Sequence, residues 1–197
     1  MNSGSNARRI SVAAMMVALS LIVSLFPSLP GPVTKFGGLP LLIGGLLVGP
    51  RTGLAMGCLT DLIGFALRPT GPFFPGFTLS QGLTAMLPGL ICLGRDPLTW
   101  RRLTESKEKA APSRKPRLYG AYFRILGIFA MTQLLTSVLL VSFFTSKFVA
   151  GTPLTLELAN RSLAQLFHVP VYAFIALTLL KTLSQSDIYE RLLASRK

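Results

Sequence analysis

Six apolar runs, separated by Gly, Pro and charged residues, set the pattern of this chain. The first extends from about Ile10 to Phe26 and is ended by Pro27 and Pro30. Three shorter runs follow closely: Gly38 to Gly49, Thr52 to Leu67 and Thr78 to Leu93. Two longer ones, Tyr122 to Phe144 and Ser162 to Leu183, complete the series. Each predicts a helix. A full membrane crossing takes about 20 residues. The second, third and fourth runs fall short of that, so some of these helices extend past the lipid core or end early.

Composition strengthens this reading. The chain has 197 residues, 50% hydrophobic and only 14% charged, whereas soluble domains carry about 25% charged residues. The expected fold is an all-α membrane protein: one integral membrane domain over 1–197, a six-transmembrane-helix bundle with an outward-facing ligand pocket. Arg8 and Arg9 before an apolar run imitate a signal peptide. Five more runs follow, so a retained first span is expected. The net charge of +13 raises nucleic acid as a partner. Its distribution argues against one, because Lys and Arg lie between and beyond the apolar runs with no interleaved stacking aromatics.

The same distribution sets an orientation. With both termini cytoplasmic, the inner side holds 16 of the 20 basic residues, including Arg8, Arg9, Arg51, Arg124 and the basic cytoplasmic loop at 94–118. The outer side holds Lys35, Arg68, Lys147 and Arg161. Cytoplasmic loops carry the excess of Lys and Arg, so a multi-pass plasma-membrane protein with both ends inside is expected. The basic loop serves topology, or docks cytoplasmic partners or anionic lipid.

Candidate chemistry gathers between Asp61 and Gly89. Asp61 is the only acidic residue inside an apolar run. An ionised carboxylate at membrane depth costs a few kcal/mol (about 3 on insertion scales), so it faces a partner or a cavity. A structural hydrogen bond, a ligand contact and a proton or ion site all remain open for it. The loop after it carries Pro69, Pro72 and Pro75 with Gly71 and Gly76, which makes it stiff. Phe73, Phe74 and Phe77 are too apolar for a wet loop and suit either lipid or a flat ligand. Ser80 and Gln81 add hydrogen-bonding groups at the start of the next run. Arg161, Arg68 and Lys35 are outer cations, and guanidinium forks suit carboxylates; an interfacial anchor is the other reading of Arg161. His168 reads as a packed, neutral side chain. Cys58 and Cys92 read as small buried residues without metal-ligand spacing. Gly45, Gly49, Gly53 and Gly57 recur every four residues around a Gly49-Pro50-Arg51 turn and predict a closely packed hairpin. Ala14 and Ala18 share one face of the first helix and allow close approach of another. No Ser/His/Asp set shares a plausible depth, one His cannot build a metal site and no Walker motif is present, so neither an enzyme nor a resident cofactor is expected.

These residues carry a resemblance. RPTGPFFPGFTLSQGLTAMLPG, residues 68–89, is similar to the FPTGPxFPGFTLSxxLTxxLPG pattern of the folate-family substrate-binding subunit, or S component, of energy-coupling factor (ECF) transporters; Arg68 replaces the opening aromatic. GGLPLLIGGLLVGPRTGLAMGCLTDLIG, 37–64, resembles the family too. So does the first run, and more loosely the segment from Arg161 to Pro170. The resemblance implies a six-helix bundle that captures folate outside the cell. It implies a transmembrane coupling subunit and two ATPase subunits as partners, with Ala14 and Ala18 on the coupling subunit. ATP hydrolysis by that module would reorient the S component and release substrate inside. A pteridine is flat and suits Phe73, Phe74 or Phe77; its amino-pyrimidine edge suits Asp61, and a glutamate tail suits Arg161, Arg68 or Lys35. An S component for another vitamin (riboflavin, thiamine or pantothenate) is the alternative. A membrane enzyme or a purely structural partner is the reading from another class.

Overall fold

The computed structural model describes residues 3–25, 36–69, 73–92, 115–149 and 151–183. All regular structure among them is helical. Helix α1 is Ser3–Leu25, α2 is Gly38–Val48, α3 is Pro50–Leu67 and α4 is Pro75–Ile91. Helix α5 starts as Lys115–Gln133 and continues through π-helical Leu134–Leu140. An α turn at Val141–Phe144 and π-helical Thr145–Val149 complete it. Helix α6 is Leu154–Leu183. Three stretches are long and apolar enough to cross a membrane: Asn6–Ser24, Tyr119–Phe148 and Leu154–Leu183.

The helices start and stop where the chain's punctuation directs. Pro50 and Pro75 open α3 and α4 at the first helical position, where the missing N–H costs no hydrogen bond. Gly49 joins α2 to α3 with φ 89° and ψ 174°, a conformation that residues with a Cβ rarely adopt. Several helix boundaries differ from the sequence expectation: α1 begins at Ser3 rather than Ile10, and α5 runs from Lys115 to Val149 rather than from Tyr122 to Phe144. Helix α4 begins at Pro75 rather than Thr78. Helix α6 begins at Leu154, eight residues before Ser162, because Pro153 starts it: the Pro153 carbonyl accepts the N–H groups of Leu156 and Glu157. Glu157 in its first turn suits the positive end of the helix dipole. Asp61 is therefore not the only carboxylate in a candidate span. The basic loop lies outside the described residues up to 114, and its end from Lys115 is helical.

Packing is densest where α2, α3 and α4 meet; α5 pairs mainly with α6. Glycines make the first contact possible. A Cβ on Gly45 would fall against the Ala85 carbonyl oxygen, and one on Gly57 against that of Gln81. The expected glycine-mediated close packing is present, and its main partner is α4. Arg9 fastens α1 to the turn between α2 and α3: its Nη2 donates to the Val48 carbonyl at 2.7 Å and to Thr52 Oγ1 at 3.2 Å. A cation at a helix C-terminus both fills an orphan carbonyl and meets the negative dipole end.

The radial distribution of polarity fits lipid. Ile10, Met15, Phe123, Met131, Leu166 and Phe174 are exposed, while Thr60, Ser80, Thr84, Thr132, Gln133, Thr136 and His168 are buried. Without water at the surface, polar groups must find partners inside. Thr60, Thr132 and Thr136 donate back to the carbonyls of Met56, Ile128 and Thr132. Thr84 donates to Thr136 across the α4–α5 interface at 2.9 Å.

Candidate functional site

A cavity of about 510 Å³ opens between α3, α4, α5 and α6, with Gly38 of α2 at its edge. That volume lies within the range of about 300–1,000 Å³ usual for small-molecule pockets. Its wall is graded. The charged groups Asp61, Glu157 and Arg161 lie near the C-terminus of α3 and the N-terminus of α6. Neutral polar groups such as Gln133, Ser137, Gln165, His168 and Tyr172 line the rest.

Asp61 accepts a hydrogen bond from the Thr78 hydroxyl at 2.6 Å. The first turn of α4 thus fixes one carboxylate oxygen. Beside it Cys58 Sγ donates weakly to the Thr78 carbonyl at 3.8 Å. Helix α4 supplies Phe77, Ser80, Gln81 and Thr84 to the wall, at the spacing of one helix face.

The opposite wall belongs to α5 and α6. Arg161 Nε donates to Glu157 Oε2 at 3.3 Å, one helical turn away. Its Nη2 donates to Thr145 Oγ1 at 3.3 Å, and Thr152 donates to Glu157 Oε1 at 3.2 Å. Further along, Gln165 Nε2 donates to Ser137 Oγ at 2.9 Å, while Gln165 Oε1 is buried with no partner among the described residues. Ser137 belongs to the π-helical segment of α5, and local π-helix is frequent at functional sites. His168 stacks on Tyr172 with ring centroids 5.5 Å apart and meets Phe36 edge-on at 5.7 Å.

The cavity brings together Asp61, Phe77, Gln81 and Arg161, four of the residues singled out from the sequence. Others lie elsewhere. Phe73 is 47% exposed and packs on Phe65 at 5.3 Å. Phe74 stacks on Phe148 at 4.9 Å and touches Phe77 and Phe144, so it clamps the start of α4 to the end of α5. Arg68 ends α3, its N–H donating to the Gly64 carbonyl, and is exposed off the cavity wall. Lys35 lies outside the described residues. Ala14 and Ala18 are both exposed on α1. Cys92 is buried and Cys58 half-buried.

Several wall residues were not foreseen. Gln133 and Ser137 belong to the polar pairs Thr132-Gln133 and Thr136-Ser137 within an apolar run; their spacing of four, which puts them on one face, was the available signal. Glu157 sits four before Arg161, a helical ion-pair spacing hidden by the late start assigned to the sixth run.

The cavity lies within a region matched by a family model. The model for the substrate-specific component of ECF transporters matches residues 8–180. The chain belongs to this family. The family is that of the substrate-specific components of membrane transporters. A curated relative from Clostridium novyi (strain NT), described as folate transporter FolT, is 33% identical over 79 residues. That match covers 39% of this chain and spans about half the length of the relative, 46%. The ECF component described here has no group of three or more His, Cys, Asp and Glu side chains suited to a metal among its described residues.

Proposed function

We propose that this chain is the folate-capturing S component of an ECF-type uptake transporter, and that the graded cavity is its substrate site. One observation carries the reading: Asp61, Phe77, Gln81 and Arg161, drawn from three helices, line one cavity. A flat aminopyrimidine ring offers donors to Asp61 and a face to Phe77, with Gln81 able to donate and accept. A carboxylate tail is met by Arg161. The relative's name, folate transporter, supports the same ligand.

The wider picture is part of the proposal. The chain forms one plasma-membrane domain, a bundle of six transmembrane helices with both termini cytoplasmic. The excess of basic residues beside the inner helix ends supports that orientation. The charged end of the cavity then faces outward, and Lys35 and Arg68 belong to the same outer side as secondary cations. Phe73 and Phe74 support the site indirectly, by packing on Phe65 and Phe148. The partners are a transmembrane coupling subunit and two ATPase subunits, which supply the energy that this chain has no motif to supply. Ala14 and Ala18, exposed small residues on one face of α1, support a contact with the coupling subunit.

Titration of the purified protein with folate, 5-formyl-tetrahydrofolate, riboflavin, thiamine and pantothenate tests the reading. Tight binding confined to the folates is expected. Binding of one of the other vitamins instead would reassign the substrate, and failure to bind any folate would sink the proposal.

A further inference from the structure

Arg161 is the cation on the cavity wall among the described residues, and its charge is already engaged. Carboxylates bind guanidinium best through two parallel N–H···O bonds. Here the edge formed by Nε and Nη2 is taken. Glu157 Oε2 lies 3.3 Å from Nε, and Thr145 Oγ1 lies 3.3 Å from Nη2. Glu157 is itself held, because Thr152 donates to its other oxygen at 3.2 Å. Neither partner of the pair is deeply buried, with side-chain exposures of 31% and 19%, so an incoming anion can reach them. Asp61 adds a second carboxylate to the cavity lining, on its α3 side. Lys147, exposed at the end of α5, is not part of it. One guanidinium thus already holds one carboxylate before any ligand arrives, in a cavity whose lining carries a second.

We propose that Glu157 is a specificity-determining residue: it competes for the chelating edge of Arg161 and thereby grades ligands by how many carboxylates they bring to the charged end of the cavity. This inference rests on the reading of the cavity as a folate site. A ligand with one carboxylate takes the other edge of the guanidinium, formed by Nη1 and Nη2, or shares Arg161 with Glu157. Each further carboxylate meets an end whose cation is spoken for and whose other charges repel it. Glu157 makes no contact with the ring-binding part of the wall, so the effect is confined to the tail.

The test compares pteroate, folate and pteroyl-diglutamate, which carry one, two and three carboxylates, by calorimetric titration of the purified full-length protein. In the parent, affinity falls with each added carboxylate. In Glu157→Gln, which keeps the shape and the Thr152 contact, folate gains about fivefold relative to pteroate, the scale of a partly exposed ion pair. The diglutamate gains more. An equal change for all three ligands would mean that Glu157 is merely structural, and the proposal would fall. It would also fall if Asp61→Asn shifted the ladder equally, since net charge rather than competition for Arg161 would then be responsible. If the parent bound none of the three, the folate reading would be the one to fail. Pantothenate and its amide would then decide the role of Glu157: a ratio raised by Glu157→Gln supports it, and an unchanged ratio overturns it.

Discussion

At the scale of single residues, two kinds of position make opposite predictions. Gly45 has no room for a side chain, since a Cβ there meets backbone that cannot rotate away. Gly45→Ala is expected to lower stability by about 1–3 kcal/mol, the usual cost of overpacking, read as a drop in thermal midpoint in detergent. Gly127 sits in helix α5 with nothing within 4 Å of such a Cβ. Gly127→Ala is expected to raise the midpoint, in line with the gain of about 0.5–1 kcal/mol for removing an interior helical glycine. In the cavity, Arg161→Ala should weaken folate binding by about tenfold or more, since a bond to a charged group contributes about 1.5–3 kcal/mol. The same variant should leave the binding of an uncharged pteridine nearly unchanged in parallel titrations. Asp61 and Arg161 were legible in the sequence because charge in an apolar run must be accounted for. Gln165 and Ser137 were not. A neutral polar side chain can bond to its own helix, so its presence does not reveal which wall it faces.

At the scale of elements, proline and glycine decided what could be read. Gly49-Pro50 announced the turn between α2 and α3. Pro153 announced the start of α6, but the polar and charged residues from Glu157 to Ser162 broke the apolar run and drew the expected boundary eight residues late. The π-helical stretches of α5 leave no mark in an apolar pattern, because Leu134–Leu140 suits an α-helix equally well. The fastening of α1 by Arg9 was equally hidden, since a basic residue near a helix end reads as a topological signal. Its side chain is part-buried and bonds Val48 and Thr52. Arg9→Met is therefore expected to cost about 1.5–3 kcal/mol of stability, measured by thermal unfolding, without changing ligand specificity.

At the scale of the whole molecule, the polar interior and apolar exterior were legible from composition, and the cavity was not. It forms only when four helices converge, and no local pattern encodes that convergence. Exposure of Ala14 and Ala18 on α1 leads to a prediction on assembly. Leu at both positions should leave folate affinity intact in the purified chain while abolishing vitamin uptake by cells and co-purification with the coupling subunit. Loss of affinity would instead mark these alanines as part of the chain's own packing. Helix α2 has a consequence for how the protein is made. Its 11 residues span about 16 Å at 1.5 Å per residue, roughly half of the 30 Å hydrocarbon thickness. Its residues from Pro40 to Val48 are all buried by neighbouring helices. Such a segment has no lipid-facing side with which to leave the translocation channel alone. It should enter the bilayer only as a passenger of α3 and α4. Ribosome-stalled chains ending after α2 should leave it open to protease, and chains extended past α4 should protect it.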